Sequence, residues 1–109
     1  MRRIYFVADT VTDQIIPDLT LSVELWESSY QLIMAAPVGK NLHNLWRHHF
    51  GTEAEMRVSG NGLLKLENGI KKLLSIRPLS VELNAFLCDL SSASARARAK
   101  RYNMVVIAE

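Results

Sequence analysis

The sequence predicts a helix-rich α+β fold in a single domain over residues 1–109, with four or five helices and a small sheet containing the N- and C-terminal strands. Three observations lead there. Apolar residues recur at helical spacing in four separate stretches between Val23 and Leu90. Short β-branched or aromatic segments, residues 3–8 and 102–108, stand near the two ends and are too short for helices. A chain of 109 residues that is 49% hydrophobic with a net charge of +2 has enough apolar surface for one modest core and too little charge for disorder. No window approaches the roughly 18 uninterrupted apolar residues of a membrane span.

Residues 3–8 read as the first strand, and residues 9–20, with Pro17 and several Asp and Thr, as a loop. Ser22 is placed as an N-cap, with Glu24 and Glu27 near the positive end of the helix that follows. At helical spacing Val23, Trp26, Tyr30, Ile33 and Met34 form one apolar stripe. Leu21, Leu25 and Leu32 form a second on nearly the opposite side, with Glu24, Glu27, Ser28 and Gln31 in the polar sector between. A helix apolar on two faces is central or lies at an interface. Pro37 and Gly39 break the chain, and Asn41 is expected to cap a second helix that ends at Gly51 and buries Leu42, Leu45, Trp46 and Phe50.

Residues 55–58 suit a short strand, and Ser59-Gly60-Asn61-Gly62 reads as a turn. The third helix, residues 63–76, gathers Leu63, Leu66, Ile70, Leu73 and Leu74 on one face, with Lys65, Asn68 and Lys72 opposite. Arg77-Pro78 ends it, and Ser80 opens a fourth with Leu83, Phe86, Leu87 and Leu90 on one face. The pair Ser91-Ser92 is expected to cap a separate final segment, residues 93–101, ahead of the closing strand. Because a lone strand cannot satisfy its own backbone, the two terminal strands are expected to share one sheet.

Catalytic patterns do not survive comparison with simpler explanations. His43, His48 and His49 crowd one helix, but His43 projects about 140° from His48 and about 120° from His49, not the shared face that i, i+4 zinc ligands need. Surface and core histidines account for them. Cys88, the single cysteine, cannot form an internal disulfide; mid-helix, beside Asp89 and in line with Val81 and Ala85, it reads as a buried structural thiol. Gly60-Asn61-Gly62 lacks the further glycines and the lysine of a phosphate loop. No metal, cofactor or enzymatic activity is expected. The apolar run in Met1-Arg2-Arg3-Ile4-Tyr5-Phe6-Val7-Ala8-Asp9 is only about five residues, short of a signal peptide's apolar region, so a cytoplasmic location is expected.

Charge is segregated along the chain. Five acids and no base fall between Arg3 and Lys40, whereas nine bases and five acids fall from Glu55 onward. Arg96, Arg98, Lys100 and Arg101 place four cations in six residues. Such polarity bears on partners and steering, not on fold.

The format resembles the small immunity proteins that bacteria pair with polymorphic or contact-dependent toxins. It is a 109-residue α+β domain without a catalytic motif, with an amphipathic helix opening Gly62-Leu63-Leu64-Lys65-Leu66-Glu67 and a closing apolar strand ending Val106-Ile107-Ala108-Glu109. The resemblance spans the whole chain and implies a cytosolic, stoichiometric inhibitor of one toxin domain, often a nuclease. It carries no residue-level motif, so no functional residue transfers from it.

The expected function is therefore that of a non-catalytic protein-binding module that neutralises a cognate toxin domain. A nuclease toxin presents a basic cleft, and Asp13, Asp18, Glu24, Glu27 and Gln31 in the base-free stretch would meet it. The competing reading is a small basic nucleic-acid-binding regulator acting through Arg96, Arg98, Lys100 and Arg101. No membrane partner is expected, and the chain is expected to be a monomer or a homodimer, the latter through the two-faced helix of Leu25 and Trp26.

Overall fold

A computed structural model describes residues 2–7, 19–36, 39–47, 55–76 and 79–108. Four strands and four helices follow in the order β1 (Arg2–Val7), β2 (Leu19–Leu21), α1 (Val23–Ala35), α2 (Lys40–Arg47), β3 (Glu55–Val58), α3 (Gly60–Ile76), α4 (Val81–Ala99) and β4 (Asn103–Ala108). The α+β class and the shared sheet are as the sequence predicts. The sheet is antiparallel throughout with strand order β2-β1-β4-β3, so the two terminal strands form its centre.

The β1–β4 pairing runs in register from Arg2 opposite Ala108 to Val7 opposite Asn103. It sets Ile4 against Val106 and Phe6 against Met104, all four fully buried. These residues join α-helical leucines and Trp46 in one core cluster. The loop expected over residues 9–20 gives way at its end to β2, where Leu19 and Leu21 pair with Ile4 and Arg2. A segment of three residues carries too little periodicity to show itself; the exposed edge of β1 selects it.

α1 begins as expected: Ser22 is its N-cap, and the Ser22 hydroxyl accepts from the Leu25 N–H at 3.2 Å. Leu21, assigned by periodicity to the second stripe of this helix, belongs instead to β2. The start of the next helix moves. α2 starts at Lys40, before the expected cap Asn41, because the Gly39 carbonyl accepts from the His43 N–H at 3.4 Å. Gly39 adopts φ +87°, a left-handed conformation that suits glycine. The expected end at Gly51, the expected core position Phe50, and His48 and His49 lie outside the described residues.

α3 starts three residues early, since Gly60-Asn61-Gly62 forms its first turn instead of a separate loop. The Ser59 carbonyl accepts from Gly62 at 2.7 Å and from Leu63 at 3.4 Å, so a single residue separates β3 from the helix. Leu63, Leu66, Ile70 and Leu73 are buried as expected, while Leu74 is half-buried.

The largest correction concerns α4. Ser91 and Ser92 do not cap a new segment; the helix runs unbroken for 19 residues from its Ser80 N-cap. The physical reason is continuity of the buried stripe, for Leu83, Phe86, Leu87 and Leu90 lead directly into Ala93, Ser94 and Ala97. The described residues thus hold four helices. α4 ends in a left-handed residue, Arg101 at φ +60°, with Tyr102 N–H donating to the Ala97 carbonyl at 2.8 Å and Arg101 N–H to Arg98 at 3.2 Å. α3 packs along α4, α2 on α3, and α1 on α2 and α4, while α4 reaches the sheet at β2 and β4.

Candidate functional site

Two tryptophans fix α1 in place. The Trp26 indole N–H donates to the Trp46 carbonyl at 2.7 Å, and the Trp46 indole N–H donates to the Ser29 hydroxyl at 3.2 Å. Ser29 in turn donates to the Leu25 carbonyl, which satisfies the buried hydroxyl. His43 secures the other end of the helix: its Nε2 lies 2.9 Å from both the Ile33 and Ala36 carbonyls, so Nε2 carries the hydrogen and closes the last turn of α1. With Trp26, Ser29 and Ile33 turned inward, the opposite face must point outward.

That outward face carries Glu24, Glu27, Ser28 and Gln31, all exposed. Their i, i+3, i+4 and i+7 spacing puts them on one strip of helix. No lysine or arginine occurs anywhere from β2 through α1. Beside the strip lies a shallow open depression of about 350 Å³, lined by Trp26, Glu27, Ser28, Tyr30 and Gln31. The Trp26 and Tyr30 rings lie 5.2 Å apart at 53° along it. Three of the five residues expected to bind a partner, Glu24, Glu27 and Gln31, therefore come together. Asp13 and Asp18 lie outside the described residues. The core stripe expected for Trp26 and Tyr30 is observed, with Trp26 buried in the core and half-buried Tyr30 packed against it; what sequence reading did not show is that both also border this depression. The signal was the interleaving itself, an aromatic pair at i, i+4 with a carboxylate between.

The basic segment divides. Arg96, Lys100 and Arg101 are exposed and have no ion pair among the described residues. Arg98 instead grips Glu67 of α3 through two hydrogen bonds, Nε at 2.9 Å and a terminal nitrogen at 3.2 Å. The Glu67 carboxylate raises the Arg98 pKa, by the hydrogen bond first and by charge attraction second. Glu67 is only 4% exposed, and sequence reading overlooked it. It lies between Leu63 and Ile70 on the buried arc of α3, a position where a carboxylate requires a partner.

Cys88 is exposed, contrary to the expected buried thiol, and contacts Asn84 Oδ1 at 3.7 Å. The reason is that Val81, Ala85 and Cys88 occupy a solvent-facing strip of α4, where Val81 is 85% exposed. Among the described residues no group of three or more His, Cys, Asp or Glu is placed to hold a metal ion. None of the described helices is long and apolar enough to cross a membrane. The outer face of α1 thus brings two carboxylates, a hydroxyl and an amide together beside the half-buried ring of Tyr30. Comparison with known protein families, curated proteins and solved structures finds no match.

Proposed function

We propose that this chain is a non-catalytic cytoplasmic binding protein that neutralises a cognate bacterial toxin domain, docking through the outer face of α1. The observation that carries the reading is the base-free strip of Glu24, Glu27, Ser28 and Gln31 beside an aromatic-lined depression, held rigid by the Trp26–Trp46–Ser29 hydrogen bonds. Rigid presentation lowers the entropy lost on binding, and acidic charge steers association with the basic cleft of a nuclease.

The test is co-purification with the C-terminal domain of the protein encoded immediately upstream. A 1:1 complex is expected, and the double reversal Glu24→Lys/Glu27→Lys should slow association and flatten its dependence on salt. If either carboxylate is desolvated in the complex, the loss reaches about 2–5 kcal/mol. An unchanged affinity together with an unchanged salt dependence would remove α1 as the docking face.

A second reading keeps one observation of its own: Arg96, Lys100 and Arg101 are exposed and without carboxylate partners among the described residues. They could neutralise nucleic-acid phosphates, though with Arg98 committed to Glu67. A gel shift separates the readings. Binding near micromolar at physiological salt that is lost in Arg96→Ala/Lys100→Ala favours a nucleic-acid partner.

A further inference from the structure

We infer that the depression on α1 is a socket for an arginine side chain of the protein partner; this rests on α1 being the docking face. Its lining combines three kinds of group. Half-buried Tyr30 supplies aromatic surface above the buried Trp26, Glu27 a carboxylate, and Ser28 and Gln31 neutral oxygens able to accept hydrogen bonds. Glu27 is exposed and has no ion pair among the described residues.

Each class of ligand meets this set differently. An anionic group is repelled by Glu27, and no base in α1 offsets it. An apolar side chain would cover Glu27 and Gln31 and leave them without water or partner, which costs more than the ring contact returns. A metal ion finds a single carboxylate in the lining, too few hard oxygen ligands. A guanidinium satisfies all of it at once. Its flat face stacks on an aromatic ring while its N–H groups at the edge donate to a carboxylate and to amide or hydroxyl oxygens. An ammonium is a compact, strongly hydrated charge that cannot stack and donate along an edge together, so lysine is the weaker occupant. Arginine and tyrosine are also among the residue types enriched where interface binding energy concentrates.

The probe is N-acetyl-arginine amide, titrated into the isotopically labelled full chain and followed by amide chemical shifts. Saturable shifts centred on residues 26–31 are expected, with a dissociation constant in the millimolar range typical of so small a ligand. N-acetyl-citrulline amide, uncharged but of the same shape, should produce none, and the lysine amide should bind several-fold more weakly. Glu27→Gln should weaken the arginine amide about threefold or more, on the scale of an exposed ion pair. Tyr30→Leu should do likewise, and its amide spectrum reports whether the fold is kept. Lys65→Gln, on an exposed position of α3, should leave binding unchanged. Shifts elsewhere, equal binding of citrulline amide, or indifference to Glu27→Gln would overturn the socket, even if the toxin domain co-purifies and responds to charge reversal on α1. Conversely, specific arginine-amide binding supports the socket even when no toxin domain is captured.

Discussion

Ser94 has a fully buried hydroxyl without a hydrogen-bond partner among the described residues. Helical serines usually return the hydroxyl proton to a carbonyl one turn back, and an unmade bond carries a desolvation cost. Ser94→Ala should therefore stabilise the protein by up to about 1 kcal/mol, read as a higher urea midpoint with an unchanged slope. Arg101 presents a similar case in the backbone. Its φ of +60° is a conformation glycine adopts freely and other residues adopt at a cost of about 1–2 kcal/mol. Arg101→Gly should raise stability by about 1 kcal/mol in chemical denaturation, and a fall would mean that the arginine side chain makes a stabilising contact. Neither residue declares itself in sequence, since Ser94 looks like one of several small residues and Arg101 like one of several cations. Their status follows from how deeply α4 is buried and how sharply the chain turns into β4. Glu67 was partly legible, because an acid on an apolar arc needs a partner. Which of four cations supplied it was not, because Arg98 lies 31 positions away.

At the level of elements, the helices with continuous stripes and serine caps matched expectation most closely. Ser22 and Ser80 both act as N-caps, accepting from Leu25 and Leu83 at 3.2 Å each. The same rule misled at Ser91-Ser92, where local capping preference competed with a stripe that continues through Ala93 and Ala97 and lost. A direct check is Ser92→Pro at an exposed position. In an unbroken helix proline removes a hydrogen bond and clashes with the preceding turn, so the cost should be about 3 kcal/mol with loss of helical circular dichroism. Were the serine pair a true cap of a segment starting at Ala93, Ser92 would stand before the helix, where proline breaks no helical hydrogen bond. At Gly60-Asn61-Gly62 the turn expected from composition is instead the first turn of α3, because the burial of Leu63 and Leu66 extends the helix back over it.

Across the described residues, α1 carries acids and no base, while bases gather on α3 and at the end of α4, which also holds Glu82 and Asp89 nearer its start. Glu24 and Glu27 stand on α1, whereas Lys65, Lys71 and Lys72 are exposed on α3 and Arg96, Lys100 and Arg101 at the end of α4. The small net charge of +2 conceals this, and the segregation along the chain anticipated it. A charge-segregated protein is oriented as it approaches a charged partner, so effects of reversing Glu24 and Glu27 should appear first in the association rate and vanish at high salt.

The sequence by itself determined the α+β class, the terminal strands, the helix-forming stretches and the acidic character of the α1 strip, because these depend on local periodicity, capping and composition. Tertiary structure alone decided that β1 and β4 are central, that β2 exists, that α4 does not break, and that Arg98 belongs to Glu67. Each of those outcomes turns on a pairing between residues far apart in the chain, where the gain from burying apolar surface and satisfying polar groups outweighs the local preference. The depression beside Tyr30 belongs to the same class, since it exists only because the Trp26–Trp46 hydrogen bond fixes which face of α1 turns inward.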